Sequence, residues 1–220
     1  MKDTRSKLLQ AATEMFSKYG FEATSTRALA QKAQVNLAAI TYYFGDKMDL
    51  YKAVLDSVVD EIKETTAKKV QLLKDLAEVQ QKNAAEALSA LHKTIEYVID
   101  LACGSKKSAD AVSILSKEMS EPTESYNRVY TEIVRPFYQT MNDLVAKIVG
   151  TADSLQTGII AQSIMGQLTV FRTQRDAFLR YAGLKKYNAG FLEQIKKAVI
   201  AQTDAILTAY KKENPFAAKA

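Results

Sequence analysis

The stretch of residues 26–47, with the sequence TRALAQKAQVNLAAITYYFGDK, is the feature that most constrains the fold of this chain. Leu29, Ala30 and Ala33 recur at helical spacing and form one apolar face. Ser25 or Thr26 can cap the first helix and Asn36 the second, because their side-chain oxygens accept hydrogen bonds from the free N–H groups of a helix's first turn. The stretch therefore predicts two short helices joined by a tight turn and followed by a longer helix.

The second of these short helices has two different faces. It is predicted to run from about Leu37 to Tyr43, with Ile40 turned inward. Its outward residues are small or carry hydroxyls, and none is acidic: Ala38, Ala39, Thr41 and Tyr42. A helix of this width fits the DNA major groove, where helix-turn-helix proteins place their second helix. An ordinary helical hairpin has the same spacing, so spacing alone leaves both interpretations open.

Residues 4–55 carry further motifs around this hairpin. They are Thr4-Arg5, Ala11-Ala12, Phe16, Tyr19-Gly20, Thr24-Ser25 and the C-terminal motif Tyr-Tyr-Phe-x-x-Lys at residues 42–47. With these motifs the segment resembles the N-terminal domain of TetR-family transcriptional repressors. The family usually has glycine where this chain has Gln34, and glycine suits a left-handed turn because it lacks Cβ. We therefore expect slight backbone strain at that position.

The resemblance implies which residues meet DNA. Those expected to hold phosphates are Thr26, Arg27, Tyr43 and Lys47. Those expected to contact bases are Leu37, Ala38, Ala39, Thr41 and Tyr42, with Asn36 at the start of their helix. Phosphate contacts would set the register and base contacts the sequence preference.

Composition favours an all-α protein. Apolar residues make up 47% of the 220 residues, whereas glycine and proline number only 8 and 3. Few helix breakers and many helix formers predict helices throughout, in one large domain or two small ones. We place an N-terminal three-helix helix-turn-helix domain at residues 1–47, with a fourth, linking helix from Asp46. Residues 48–220 are then a larger helical domain for effector binding and dimerisation.

Several classes of function find little support. The sequence has one histidine and one cysteine and lacks a nucleophile elbow, a phosphate-binding glycine loop and a metal-ligand cluster. We therefore expect no catalytic residues, metal or cofactor.

A single cysteine suits a reducing cytoplasm, and neither a signal peptide nor a membrane span is indicated. The net charge of +5 is compatible with a polyanionic partner. A helical adaptor that works through protein partners is the remaining alternative, and the intact Tyr-Tyr-Phe-x-x-Lys close argues against it.

The second half of the chain predicts further helices and a ligand site. Residues 104–108 are expected to form a loop and residues 177–190 a linker. Pro136 should kink or break a long helix at residues 124–150. Aromatic and methionine side chains at helical spacing on this helix suit either a core or a small-molecule pocket. The candidate effector pocket consists of His92, Met119, Tyr126, Tyr130, Phe137, Met141 and Met165.

The helix predicted at residues 154–175 is apolar nearly all round, which suggests burial against a second subunit. Residues 115–137 and 163–184 are also similar to the C-terminal domain of CecR-like TetR regulators. That resemblance implies a dimer in which the last two long helices of each subunit form a four-helix bundle. The candidate interface consists of Ile159, Gly166, Val170, Phe191, Ile195, Val199 and Ile206.

These features predict a ligand-responsive transcriptional regulator. We expect a homodimeric repressor that a small apolar or aromatic molecule releases from a palindromic operator. Its expected partners are double-stranded operator DNA, a small-molecule effector and a second copy of the chain. The effector would move the fourth helix and change the distance between the two DNA-binding domains.

Overall fold

The structure is a computed structural model that describes residues 4–79, 83–151 and 153–212, without the side chains of residues 66–79 and 212. Helices and no strand are present in these ranges, which confirms the predicted all-α class. The helices are α1 Thr4–Tyr19, α2 Thr26–Ala33, α3 Ala38–Phe44, α4 Lys47–Val79, α5 Ala84–Cys103, α6 Lys106–Ser120, α7 Tyr126–Val129, α8 Arg135–Val149, α9 Ser154–Thr173, α10 Arg175–Tyr181 and α11 Ala189–Lys212, with a π turn at Tyr130–Val134. None of the described helices combines the length and apolarity that a bilayer crossing requires.

The first compact unit contains Met1–Thr66 and Lys106–Ile133. In it α1 packs against α2, α3 and α6. Its fully buried side chains include Leu8, Phe16 and Leu29. The Ser17 hydroxyl donates to Asp110 Oδ1 at 2.9 Å and joins α1 to α6. By contact, α6 and α7 therefore belong with the N-terminal helices, whereas the functional boundary at residue 47 stays a prediction.

The second compact unit contains Ala67–Ser105 and Val134–Ala220. Helices α5, α8, α9 and α11 pack on one another around a continuous apolar core. Two polar pairs join α5 to α11. Lys196 Nζ lies 2.8 Å from Asp100 Oδ1, and His92 Nε2 lies 2.7 Å from Asp204 Oδ1.

The break expected at Pro136 takes the form of a π turn. The turn occupies Tyr130–Val134, and Pro136 is the second residue of α8. Proline lacks an N–H and clashes with the carbonyl four residues earlier. The wider π turn directly before it accommodates both defects.

Two predicted irregular segments are partly helical, so those predictions are wrong. The expected loop at residues 104–108 already contains the start of α6 at Lys106, and most of α10 lies in the expected linker. Leu179 on α10 is buried, and Phe178 packs edge-on against Phe171 with ring centroids 5.8 Å apart. Burial of Leu179 and packing of Phe178 stabilise a short helix that would be marginal in isolation.

Candidate nucleic-acid interface

Local hydrogen bonds fix both ends of α2. The Ser25 Oγ accepts a hydrogen bond from the Ala28 N–H at 3.2 Å. At the other end Gln34 has φ 56° and ψ 47°, and the Val35 N–H donates to the Ala30 carbonyl at 3.0 Å. This is the glycine-type helix end, here built with a residue that has a Cβ. The strained backbone expected at Gln34 is therefore found.

The start and the buried side of α3 agree with the sequence analysis. The Asn36 Oδ1 accepts a hydrogen bond from the Ala38 N–H at 2.9 Å. Ile40 is buried on the inner side. Leu29, Ala30 and Ala33 of α2 are buried as well, so the two helices hold each other through the predicted apolar faces.

The outer side of α3 is open to solvent. Tyr42 is 81% exposed and Leu37 49% exposed. Ala38 and Thr41 are exposed, and Ala39 is half-buried. A large, nearly free aromatic hydroxyl at the centre of a short helix with small neighbours can reach into a groove.

The residues expected at phosphates fall into two groups. Arg27 is exposed on α2 and Thr26 is half-buried beside it. Tyr43 is half-buried, and its ring meets the Tyr42 ring edge-on at 4.8 Å. Lys47 instead has partners inside the protein, because its Nζ donates to the Phe21 carbonyl at 3.1 Å and lies 4.1 Å from the centre of the Phe21 ring.

Charge around this surface is mainly positive. Within residues 26–47 three basic side chains face one acid, Asp46. The Asp46 carboxylate accepts a hydrogen bond from the Asp49 N–H at 2.8 Å and so caps α4. Lys32 forms an ion pair with Glu14 at 3.3 Å. A surface of this kind attracts a polyanion without placing a carboxylate on the exposed side of α3.

A buried polar contact supports the α4 end of the interface. The Tyr51 hydroxyl donates to Glu118 Oε2 at 2.9 Å, and Glu118 is fully buried. The backbone N–H and the hydroxyl of Thr123 donate to Glu118 Oε1 at 3.0 and 2.8 Å. Burial raises the pKa of Tyr51 above its usual range, and the Glu118 carboxyl raises it further. The phenol is therefore kept as a donor that fixes α4 to α6.

A row of ion pairs joins α4 to the segment that contains α7 and the π turn. Lys52 pairs with Glu124 at 2.6 Å, and Lys63 pairs with Glu132 at 2.7 Å. Between them Arg128 contacts Asp56, Asp60 and Glu132. We call these seven residues the α4 ion-pair row. A cavity of about 200 Å³ lies along it, lined by Lys52, Leu55, Asp56, Val59, Ser125, Arg128 and Val129.

The residues predicted for an effector pocket are divided between the two units. Met119, Tyr126 and Tyr130 belong to the first unit, where the two tyrosine rings stack at 6.0 Å. His92, Phe137, Met141 and Met165 belong to the second unit. There Met141 is fully buried, Phe137 and Met165 pack against the core, and His92 is engaged with Asp204.

The residues predicted for a dimer interface differ in exposure. Ile159, Gly166 and Val170 of α9 are exposed, and Phe191 and Ile206 of α11 are half-buried. Ile195 and Val199 are buried in the core of their own unit, at 4% and 1% exposure. Those two have almost no surface to offer a partner, because the inner side of α11 packs on α5 and α8. Leu155, missed in the sequence, is 75% exposed on α9.

Two short helices with capped ends, a tight turn and an exposed acid-free outer side define the helix-turn-helix class of regulators. A family described as "Bacterial regulatory proteins, tetR family" matches residues 8–54, and one described as "HTH-type transcriptional dual regulator CecR, C-terminal domain" matches residues 87–210. The chain belongs to the TetR family of bacterial transcriptional regulators, with a C-terminal domain of the CecR type. It is a regulator and not an enzyme, as the sequence predicted.

Individual relatives agree with this assignment. The transcriptional dual regulator CecR of Shigella flexneri is 28% identical over 205 residues, which cover 92% of this chain and 91% of that protein. AibR, solved with isovaleryl coenzyme A and operator DNA, has a TM-score of 0.64 and 16% identity over 91% of this chain and 97% of AibR. The ketosteroid regulator KstR2 of Mycobacterium tuberculosis has a TM-score of 0.61 and 15% identity over 95% of each chain. The two solved structures establish the likeness of fold.

Sequence reasoning missed two residues that organise the interface. Glu118 lies in the polar run SKEMSEP, which gave no sign of burial. Phe21 lies in the short connection between two helices, where one aromatic residue among small and polar ones is the available signal. Both acquire their roles from partners distant in the chain.

Proposed function

We propose that the chain is a homodimeric repressor that binds a partly palindromic operator through α3 and is released from it by a small apolar or aromatic molecule. The observation that carries the proposal is the outer side of α3, where Tyr42 is 81% exposed among small and hydroxyl-bearing residues with no acid. A helix with that surface is suited to the major groove.

Each exposed side chain of α3 has a chemistry that suits DNA. The methyl groups of Ala38 and Ala39 can pack against a thymine methyl, and the side chain of Leu37 can extend that apolar contact. The hydroxyls of Thr41 and Tyr42 can bond to base edges. Phosphate contacts are assigned to Thr26, Arg27, Tyr43 and Lys47, with Asn36 fixing the start of the helix.

A second copy of the chain is the proposed partner of α9. Leu155, Ile159 and Val170 are large apolar residues with 75%, 42% and 40% exposure on this one helix. Gly166 lies between them in sequence and has open space where a Cβ would be. Phe191 and Ile206 of α11 would complete the face. A two-fold dimer formed in this way would present two α3 helices to half-sites separated by about one turn of DNA.

The effector is proposed to bind among the aromatic and methionine side chains of the second unit. Phe137 and Met165 pack, half-buried, against the core that contains Met141, and the π turn precedes all three in the sequence. Methionine and aromatic residues adapt to flat apolar ligands. AibR, which shares this fold, is known as a complex with isovaleryl coenzyme A and operator DNA. Regulation requires that the effector bind one arrangement of the dimer more tightly than the other.

The experiment titrates the protein into the DNA upstream of its own gene and detects binding by gel shift at several salt concentrations. A random duplex of equal length is the control. We expect a dimer bound per site, a steep salt dependence and at least about a thousandfold preference for the upstream fragment. Addition of isovaleryl coenzyme A and of small aromatic compounds then tests for release.

A matched pair of tyrosine variants tests the role of α3. Tyr42→Ala should weaken binding to the upstream fragment by about tenfold or more, since one good base contact contributes about 1–3 kcal/mol. Tyr181 is 90% exposed on α10 and outside the proposed interface. Tyr181→Ala should bind as the wild type does. Equal binding by all three proteins would refute this assignment of the outer side of α3, and no binding to any duplex at low salt would favour the adaptor function.

A further inference from the structure

Positive charge is concentrated in the segment of residues 172–187, which lies in the second unit. The segment contains five basic side chains and one acid, a net charge of +4. Residues 26–47, which contain the helix-turn-helix motif, have three basic side chains and one acid, a net charge of +2. DNA binding through α3 therefore leaves the larger concentration of charge without a function.

The backbone of this segment folds back at the end of α10. The Gly183 N–H donates to the Arg180 carbonyl at 3.3 Å, and the Leu184 N–H donates to the Leu179 carbonyl at 2.9 Å. Gly183 has φ 68°, the left-handed conformation on which this helix end depends. The residues after the turn are therefore held beside the last turn of α10.

Apolar side chains attach the segment to the core of the second unit. Leu179 is buried, and Phe178 and Leu184 pack against that core. Tyr187 is 9% exposed, and its hydroxyl donates to the Phe171 carbonyl at 2.8 Å. The segment is thus anchored on both sides of the turn.

Between these anchors the side chains are open to solvent. Arg180, Lys185 and Lys186 are exposed, and Tyr181 is 90% exposed. No carboxylate among the described residues pairs with any of these three cations, and the one acid of the segment, Asp176, has its own arginine partner. We call Arg180, Tyr181, Lys185 and Lys186 the α10 basic surface.

We propose that the α10 basic surface binds an acidic segment of a partner protein. Its three cations attract carboxylates and speed the encounter, and each has a charge that no described carboxylate neutralises. Tyr181 adds a large aromatic contact surface, and tyrosine and arginine are enriched at the centres of protein interfaces. The anchored backbone holds these side chains in place before the partner arrives, which lowers the entropy cost of binding.

Other polyanions fit this surface less well. A membrane requires apolar side chains that insert, but Phe178, Leu179 and Leu184 pack on the core instead. Single-stranded nucleic acid requires a row of exposed rings on which successive bases stack. Tyr181 is the one fully exposed ring of residues 172–187. Duplex DNA is assigned to α3 in the other unit.

The experiment titrates the full-length protein into a fluorescein-labelled octaglutamate peptide and follows fluorescence anisotropy at low and high salt. An octaglutamine peptide is the control for charge. The surface variant combines Arg180→Glu, Lys185→Glu and Lys186→Glu. The matched control variant reverses three exposed lysines of the same unit: Lys93→Glu, Lys147→Glu and Lys211→Glu.

The wild type and the control variant should bind octaglutamate, with an affinity that falls as the salt concentration rises. The surface variant should bind at least about tenfold more weakly than the control variant, although the two have the same net charge. Tyr181→Ala, which changes no charge, should weaken binding about threefold. A double variant with only Lys185→Glu and Lys186→Glu leaves α10 unaltered and should show most of the loss.

Four results would overturn the proposal. An equal loss in both triple variants would assign binding to overall charge, and full affinity in the surface variant would exclude the α10 basic surface. Tighter binding of a random duplex or of phosphatidylglycerol vesicles, lost in the surface variant alone, would assign the surface to nucleic acid or lipid. A change of oligomeric state in the surface variant alone, measured by light scattering, would show that a second copy of the chain covers it.

Discussion

Removing one hydroxyl from the buried contact under α4 should destabilise the first unit measurably. Tyr51 is 3% exposed, and its hydroxyl donates to Glu118 Oε2 at 2.9 Å. Tyr51→Phe deletes that donor and keeps the ring, whose centre lies 4.9 Å from the Phe16 ring. The carboxyl group of Glu118 is then left with the two donors of Thr123.

The magnitude follows from the burial of both partners. A hydrogen bond to a charged group contributes about 1.5–3 kcal/mol to stability. The buried Glu118 oxygen that loses its donor adds a desolvation cost to this loss. Packing of the ring is retained, so no cavity term is added. We expect a loss of about 2 kcal/mol in the free energy of unfolding. A chain of this size would then melt roughly 4–8 °C lower.

The assay is urea unfolding at pH 7 followed by circular dichroism, with the slope m compared between proteins. Tyr181→Phe removes a hydroxyl from a tyrosine that is 90% exposed and should change stability by less than about 0.5 kcal/mol. A loss below about 0.5 kcal/mol in Tyr51→Phe, with m unchanged, would refute the reasoning. It would mean that water or another donor replaces the Tyr51 hydroxyl at Glu118.

Alkaline pH provides a second measurement on the same variant. The pKa of Tyr51 is raised in the folded protein, whereas the unfolded chain ionises this phenol near pH 10. Stability from Tyr51 is therefore fully present below pH 10 and is lost as the pH rises above it, by at most about 1.4 kcal/mol per unit. The difference between wild type and Tyr51→Phe should narrow above pH 10, and parallel profiles would contradict a raised pKa.

Three further predictions concern the turn, the α4 ion-pair row and the thiol. Gln34→Gly should stabilise the protein by about 0.5–1 kcal/mol in urea unfolding, because glycine adopts the positive φ without strain, whereas Gln31→Gly in the middle of α2 should cost about 1 kcal/mol. Arg128→Ala leaves three carboxylates without a shared cation and should cost about 1 kcal/mol at low salt and less at 0.5 M salt. Burial raises the pKa of Cys103 to about 11, so alkylation of the native thiol at pH 8 should be much slower than in the urea-unfolded chain. Because the unfolded thiol ionises first as the pH rises, the folded protein loses stability between about pH 9 and 11, and Cys103→Ala should lessen that loss.

Each of these predictions has a contrary result. A destabilised Gln34→Gly would show that the side chain of Gln34 contributes more than its backbone strain costs. An equal loss in Arg128→Ala at both salt concentrations would assign the effect to packing of the arginine stem. Rapid alkylation of native Cys103 at pH 8 would show an accessible thiolate.

The two short helices and their caps could be predicted from the sequence because they depend on neighbours within a few residues. Ser25, Asn36 and Asp46 accept hydrogen bonds from N–H groups two or three positions later. Helical spacing likewise identifies the buried faces of α2 and α3. The same local logic missed α10, a seven-residue helix that depends on the packing of residues such as the buried Leu179.

The sequence by itself determined the all-helical class, the helix-turn-helix motif and the exposed side of α3, since periodicity and capping are local properties. Only the tertiary structure decided which apolar residues of α11 are buried, because Ile195 and Ile206 belong to one predicted stripe, and Ile195 is buried whereas Ile206 is half-buried. It also decided that Lys47 meets Phe21 and that Glu118 is buried against Tyr51. Those contacts join residues far apart in the chain, and no spacing rule specifies which distant side chain a charge will meet.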